Sequence, residues 1–224
     1  LLEQIMLSDT CVIYDNTAFS KGSFTNRVQI PLRDNVSKWL TLPLKQFSLG
    51  TEIRHLQIRP EAEWKNKHLA FLKQTYKSAP YKQDMLDLVQ EVYDVDDNLA
   101  IRTIVKSMRL LCRYYNLAHN FQYASDMNMS KFADKSQKVL DMVIACQGKS
   151  YITGHGASNY LDHSRFDSKG ISIYYMDYMK NVYPQVTTTQ FNPYVSALDL
   201  IANMGPEGRH VFSPQTLYWK DFKD

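Results

Sequence analysis

The stretch DKSQKVLDMVIACQGKSYITGHG, residues 134–156, decides the fold class of this chain. Its first part, up to Gly148, has the pattern of a helix that a glycine closes at the C′ position. The residues SYIT at 150–153 form a short apolar and β-branched run, which predicts a strand. A helix that passes into a strand through a short link is the repeating step of an α/β fold.

The same step recurs along the rest of the chain. Hydrophobic periodicity predicts strands at 10–15, 28–30, 38–44, 53–58, 121–127 and 171–178, and helices at 60–80, 82–93, 96–116 and 192–205. We therefore predict an α/β fold with a largely parallel sheet and an inserted helical subdomain. The predicted parts are an α/β core at 1–59, a helical insertion at 60–117 and the second part of the core at 118–224.

Composition excludes several classes of protein. The chain has 26 basic and 23 acidic side chains, a net charge of +3, which is too balanced for a dedicated nucleic-acid binder but leaves room for a local anion pocket. No run of about 18 apolar residues is present, so no membrane span is predicted. The three cysteines are scattered and lack the spacing of metal ligands, which predicts reduced thiols in a cytoplasmic protein without a metal site.

A glycine loop follows the predicted strand at 150–153. Gly154 and Gly156 flank His155, and their lack of a side chain lets backbone amides approach a ligand closely. Because ligands bind beyond the carboxyl ends of strands in open α/β sheets, we predict ligand contacts from Thr153 through Gly156 and from Tyr160. The alternative is a loop that only reverses the chain.

A second polar segment, SKGSFTNRVQI at 20–30, follows the strand at 10–15. Its Lys21, Asn26 and Arg27 have the chemistry to hold a carboxylate or phosphate, and Arg27 offers two parallel hydrogen bonds. A solvated basic hairpin is the alternative interpretation.

Two titratable residues lie on predicted apolar helix faces. Asp199 is costly to bury without a partner, so we expect it to meet a hydroxyl, an amide or Arg27. Ser196 lies one turn earlier on the same face, and the pair is either a polar bridge in the core or part of a site. His68 shares a face with Trp64, which favours a core histidine with one satisfied nitrogen over a general base.

Five separated blocks give the chain a resemblance to a known family. They are CVIYDNTAFSKGSFTNRVQI, WLTLPL, EWKNKHLAFLKQTYKSAPY, SYITGHGASNYLD and YPQ…FNPYVSALDLIANMGPEG, in this order. In these blocks the chain resembles the WbqC-like protein family over nearly its whole length. The resemblance implies a cytoplasmic bacterial enzyme of surface-polysaccharide (O-antigen) biosynthesis, a transferase that acylates a nucleotide-linked amino sugar with an amino acid. The alternative is a non-catalytic protein that binds a nucleotide sugar or a small anion.

The resemblance also implies which residues form the site. The family pattern falls on Lys21, Asn26, Arg27, Trp64, His68, Leu69, Tyr151, Thr153, Gly154, Gly156, Tyr160, Ser196, Asp199, Gly205 and Pro206. We expect Lys21 and Arg27 to fix an anionic group. Tyr160, Tyr183 and Gln185 would supply hydroxyl and amide contacts to a sugar. His68, His155 and Asp199 are the candidate catalytic residues, and no cofactor is identified.

The chain departs from the family pattern at two places. Family members usually begin with a strand and a loop ahead of the first helix, whereas this chain begins without Met inside that helix. We therefore expect an upstream strand and loop that would complete a Rossmann-like, nucleotide-binding half. His155 is not part of the family's loop pattern, so its candidacy rests on its position between two glycines.

Overall fold

The computed structural model describes residues 1–33, 36–60, 63–129 and 133–223. Its helices are α1 (Leu2–Met6), α2 (Glu63–Thr75), α3 (Lys82–Tyr93), α4 (Ala100–Tyr114), α5 (Lys135–Ala145), α6 (His163–Asp167) and α7 (Ala197–Met204). Its strands are β1 (Cys11–Ile13), β2 (Arg27–Pro31), β3 (Ser37–Thr41), β4 (Phe121–Tyr123), β5 (Ser150–Thr153), β6 (Ser172–Asp177) and β7 (Gln215–Tyr218).

The chain divides into two compact units. Unit 1 comprises Leu1–Tyr14, Leu117–Met179 and Ser213–Asp224, and unit 2 comprises Asp15–Asn116 and Lys180–Phe212. Each unit is therefore built from segments that are distant in sequence. The division expected from the sequence, at 59 and 117, stays a prediction.

Unit 1 holds the parallel strands. β1 pairs in parallel with β4, β5 pairs in parallel with β6, and β7 adds an antiparallel edge to β6. The predicted α/β class is thereby confirmed, although the strand pairs are only partly parallel where a largely parallel sheet was predicted. The sheets of the described residues have only two or three strands, so one large Rossmann-like sheet is not confirmed.

The core of unit 1 forms between α5, α6 and the longer sheet. Val139, Leu140 and Val143 bury one face of α5, and Phe166 and Ile173 are fully buried opposite them. Asp134 begins the helix by accepting a hydrogen bond from the Gln137 backbone N–H at 2.8 Å.

The end of α5 differs from the prediction in one respect. The residue with left-handed backbone is Gln147, with φ 54°, and not Gly148. Gly148 donates its N–H to the Val143 carbonyl at 2.8 Å, and a Cβ at Gly148 would lie 3.0 Å from a methyl group of Val143. Glycine is thus favoured here by close approach to α5 rather than by a positive φ.

Unit 2 joins four helices to an antiparallel hairpin. Strands β2 and β3 pair with Gln29 opposite Trp39, and α7 packs beside α3. Ser196 caps α7, because its hydroxyl accepts the Leu198 N–H at 3.2 Å while its own N–H donates to the Gln29 carbonyl at 2.8 Å. These bonds fix the start of α7 against β2.

Two predicted elements are corrected in unit 2. The predicted strand at 53–58 is a 3₁₀ turn over Ile53–His55 followed by isolated bridges, because the N–H groups of Ile53 and Arg54 bond to carbonyls of the preceding 15–17 segment. The helix expected from residue 192 begins at Ala197, after the Ser196 cap. No described helix is long and apolar enough to cross a membrane.

Candidate functional site

A recess in unit 2 lies between the β2–β3 hairpin and the 190–194 segment. Its volume is about 420 Å³, and it is lined by Gln29, Ser37, Gln190, Phe191, Asn192, Pro193 and Tyr194. The lining thus combines neutral amides, hydroxyls and aromatic rings and contains no charged side chain. Such a set forms directed hydrogen bonds and also offers flat apolar faces.

Hydrogen bonds on several sides hold Asn192 in the wall of the recess. Its backbone N–H donates to Gln185 Oε1 at 2.8 Å, and Gln185 Nε2 donates to the Asn192 carbonyl at 3.0 Å. Its side-chain Nδ2 lies 3.3 Å from Ser37 Oγ, and its Oδ1 accepts the Tyr194 N–H at 2.9 Å. The wall is therefore ordered before any ligand arrives, which lowers the entropic cost of binding.

Behind this wall lies Asp199, whose side chain has no exposed surface. Its carboxylate accepts hydrogen bonds from Tyr76 Oη at 3.0 Å, Tyr183 Oη at 2.9 Å and Gln185 Nε2 at 2.9 Å. The expectation that Asp199 meets hydroxyl and amide groups is confirmed. Arg27 is not among these three donors.

Burial and hydrogen bonding act on Asp199 in opposite directions. Desolvation raises the pKa of the carboxyl, and the donors at Tyr183, Gln185 and Tyr76 oppose that rise. Burial beside the carboxylate raises the pKa values of Tyr76 and Tyr183. Both phenols therefore keep their protons and remain donors at neutral pH. Gln185 transmits this anchoring to Asn192 in the recess.

The basic segment lies on the hairpin that forms the other wall. Arg27 and Gln29 are two residues apart on β2, so their side chains point to the same face of the sheet. Trp39 is paired with Gln29 across the hairpin and lies on that face as well. Its guanidinium carbon lies 3.9 Å from the centre of the Trp39 ring, its terminal nitrogen donates to the Gly22 carbonyl, and its Nε is buried without a partner.

The other two residues of this segment differ in role. Lys21 is exposed, with Nζ 5.4 Å from the centre of the Phe47 ring. Asn26 donates from Nδ2 to the Leu42 carbonyl at 3.0 Å, which ties the start of β2 to the end of the hairpin. Arg27 is thus the predicted anion ligand that lies nearest the recess in the strand register.

His68 is half-buried on α2. Its Nδ1 lies 2.7 Å from Tyr93 Oη, and the Trp64 ring packs against both rings. Burial, and secondly the charge of Lys38, lower the pKa of His68. The expectation of one satisfied nitrogen is met, and the role of a general base stays a prediction.

The glycine loop belongs to unit 1, at the carboxyl end of β5. Thr153 is buried there, and a Cβ at Gly154 would lie 3.3 Å from Tyr178 Oη. His155 donates from Nε2 to the Met176 carbonyl at 2.6 Å, since a carbonyl can only accept. A Cβ at Gly156 would meet nothing within 4 Å.

Tyr160 completes the predicted set in unit 1. Its ring is 40% exposed, and its hydroxyl is hydrogen-bonded to Tyr151. Burial raises the pKa of Tyr151 to about 12. That the glycine loop and Tyr160 share a ligand with the residues of unit 2 stays a prediction.

Sequence reasoning missed most of the recess. Gln29 carried a signal, because a polar residue in the middle of an apolar strand marks a face that is not core. Asn192 preceded a proline, which we interpreted as a helix start. Ser37 and Tyr194 carried none, since only the fold brings them together. Within the described ranges, no group of three His, Cys, Asp or Glu residues is placed to bind a metal.

Comparison with known proteins shows a family and a curated relative. The model of the WbqC-like protein family matches residues 1–211. The chain is similar to the "Uncharacterized protein Rv1507c" of Mycobacterium tuberculosis (strain ATCC 25618 / H37Rv), with 22% identity over 205 residues, 91% of this chain and 87% of the relative. No solved structure matches the chain significantly.

Proposed function

Since this chain belongs to the WbqC-like protein family, we propose that it is a transferase of bacterial surface-polysaccharide biosynthesis. Its substrate would be a nucleotide-linked amino sugar, which it would acylate on nitrogen with an amino acid. The observation that carries the proposal is the recess of unit 2, whose lining is neutral, polar and aromatic.

The lining suits a sugar ring for a chemical reason. A pyranose presents several hydroxyls, each of which donates and accepts, so planar amides such as Gln29 and Asn192 can bond to two of them at once. The apolar face of the ring packs on aromatic side chains, and Phe191 and Tyr194 lie in the same wall. Preorganised amides next to rings are what a carbohydrate site needs.

A phosphate requires a cation beside the recess. Arg27 is two residues before Gln29 on β2, so the two side chains share one face of the sheet. The Nε atom of Arg27 is buried and has no hydrogen-bond partner among the described residues. Lys21 lies in the loop that precedes β2. Guanidinium groups bind phosphate oxygens through paired, charge-assisted hydrogen bonds. Arg27 and Lys21 would therefore hold the phosphates while the sugar enters the recess.

The transfer itself needs a base. The sugar amine attacks the carbonyl carbon of an activated aminoacyl group, a C–N bond forms, the bond to the activating group breaks, and the amine proton goes to the base. In unit 2 that base would be His68, whose lowered pKa keeps it neutral at pH 7. His155 stays the second candidate, and Asp199 would act by fixing Tyr183 and Gln185.

The chain has the properties of a cytoplasmic enzyme in this proposal. Its three cysteines are free thiols, the state that a reducing compartment maintains. Unit 1 alternates β4, α5, β5, α6 and β6, which supports a Rossmann-like arrangement as part of the same proposal.

A non-catalytic nucleotide-sugar binder is the second candidate function, and one observation favours it. Asp199 accepts three hydrogen bonds and has no exposed surface, and Nδ1 of His68 is engaged by Tyr93. Titratable groups whose atoms are already engaged in internal hydrogen bonds suit a rigid binding site better than proton transfer to a substrate.

Turnover separates the two functions. The protein would be incubated with nucleotide-linked amino sugars, ATP and amino acids, and a mass increase of the sugar nucleotide by one aminoacyl group supports the transferase. Binding without a mass change supports the binder. Calorimetry on Arg27→Ala tests the anion contact, with Arg33→Ala in the same hairpin as the control. Wild-type affinity in Arg27→Ala would remove Arg27 from the site.

A further inference from the structure

Two large aromatic rings lie exposed on the β2–β3 side of unit 2. Phe24 is 73% exposed and Trp39 is 37% exposed, and their ring centres are 5.4 Å apart. We call this pair the aromatic platform. Exposed single apolar residues are common, but two adjoining rings form a small surface that a flat ligand can cover.

The aromatic platform continues directly into the recess. Trp39 pairs with Gln29 across the hairpin, so their side chains share one face of the sheet, and Gln29 lines the recess. Arg27 lies on this face as well, with its guanidinium stacked on Trp39. An aromatic surface, a cation and a neutral polar recess thus share a single face.

Within the described ranges, Arg27 on the aromatic platform and Lys21 in the loop that carries Phe24 have no acidic partner. Among the described residues, neither Lys21 nor Arg27 lies within 4.0 Å of a carboxylate, and Nε of Arg27 is buried without any acceptor. A cation without a carboxylate partner keeps its charge available to an anionic ligand.

We propose that the aromatic platform binds the nucleobase of the nucleotide sugar, an inference that rests on the proposed function. The base stacks on Phe24 and the edge of Trp39, the diphosphate meets Arg27 and Lys21, and the sugar occupies the recess. Every nucleobase has a π-face, so stacking on aromatic rings gives affinity with little preference for one base over another. A base, a phosphate and a sugar would thus each find a matching surface on one face: aromatic rings, a cation and a neutral polar recess.

Nucleoside diphosphates without the sugar test this subsite by itself. Uridine, thymidine and guanosine diphosphates would be titrated into the protein while tryptophan fluorescence and heat are recorded. We expect binding with quenching of Trp39, and loss of the quenching but not of the binding heat in Trp39→Phe. Phe24→Ala should weaken binding between about 5-fold and 150-fold, the range that base–aromatic stacking covers.

Leu49→Ala is the matched control, because Leu49 is a fully exposed apolar residue of the same unit. It should leave the affinity unchanged, and circular dichroism should show that all three variants are folded. If Phe24→Ala binds the diphosphates as wild type does, the base does not lie on the platform and the inference is wrong.

The inference and the proposed function fail in different ways. Wild-type protein that binds or acylates a nucleotide sugar but gives no signal with any nucleoside diphosphate retains the function and loses the base subsite. Wild-type protein that binds neither kind of ligand loses both. Equal quenching by free amino sugars would instead place the sugar on the aromatic platform and overturn the assignment.

Discussion

The hydroxyl of Tyr76 donates a 3.0 Å hydrogen bond to the carboxylate of Asp199, 123 residues further along the chain. Both side chains are fully buried. The bond ties the segment after α2 to the first turn of α7, and the other oxygen of the same carboxylate holds Tyr183 and Gln185. One wall of the recess is thereby anchored to the core of unit 2.

Removing the Asp199 carboxylate should destabilise unit 2 strongly. Asp199→Ala leaves the buried Tyr76 hydroxyl and the partly buried Tyr183 hydroxyl without their acceptor and removes one acceptor of Gln185 Nε2, which we expect to lower the free energy of unfolding by about 3 kcal/mol. Urea denaturation measures the change. Asp96→Ala, which removes an exposed carboxylate, is the control and should cost little. Equal midpoints for the two variants would contradict the anchoring role.

Asp199 should also make a recognisable contribution to the pH dependence of stability. Its pKa is raised in the folded state, so as pH rises above its ordinary value of 3.8 the unfolded chain releases this proton first. Stability therefore falls with rising pH between 3.8 and the raised folded pKa. The free energy of unfolding of wild type minus that of Asp199→Asn should decrease over this window. A difference that stays constant over this window would contradict the raised pKa of Asp199.

His68 should contribute with the opposite slope. The pKa of His68 is lowered in the folded protein. As the pH falls below the ordinary value of 6.5, the unfolded chain therefore binds a proton at this residue before the folded protein does. The stability that neutral His68 contributes is therefore present above pH 6.5 and is lost as the pH falls towards the pKa of His68 in the folded protein. His68→Gln should lose less stability than wild type between pH 7 and pH 5 in urea titrations. Equal losses of stability in His68→Gln and wild type over this range would contradict the contribution of His68.

Gly205 at the end of α7 should tolerate no side chain. Its φ is +57°, and a Cβ would lie 2.5 Å from Cε1 of Tyr81. Gly205→Ala combines backbone strain with a steric clash, and we expect a loss of roughly 3 kcal/mol by thermal or urea unfolding. Gly50→Ala is the control, because Gly50 has φ +85° with nothing within 4 Å, so only the strain of about 1 kcal/mol applies. Similar losses at both positions would refute the clash.

The helices of unit 2 were predictable because their signals are local. The apolar period of 3.6 residues placed α2, α3 and α4 within a few residues of their observed bounds. The partners of Asp199 were predictable in kind, since an acid on an apolar helix has to meet donors. Which donors it meets was not, because Tyr76 and Tyr183 reach it only through the packing of unit 2.

The recess and β7 could not be predicted from local sequence patterns. Gln29, Ser37 and Asn192 come together through strand register and the turn at 190–194, which no periodicity in the sequence specifies. β7 has an exposed, alternating pattern with little apolar content, and it is a strand because β6 offers it an edge. Ile53–His55 has strand-like composition, yet backbone bonds to residues 15 and 17 favour a turn.

The interleaving of the two units has a consequence for biosynthesis. β7, Trp219 and Phe222 complete unit 1, where the two rings stack on His163 and Tyr175, but they are translated after the whole of segment 180–212. A nascent chain on the ribosome therefore carries unit 1 with an open sheet edge and uncovered rings until unit 2 has been synthesised in full. Closure of unit 1 therefore has to follow synthesis of the whole 180–212 segment.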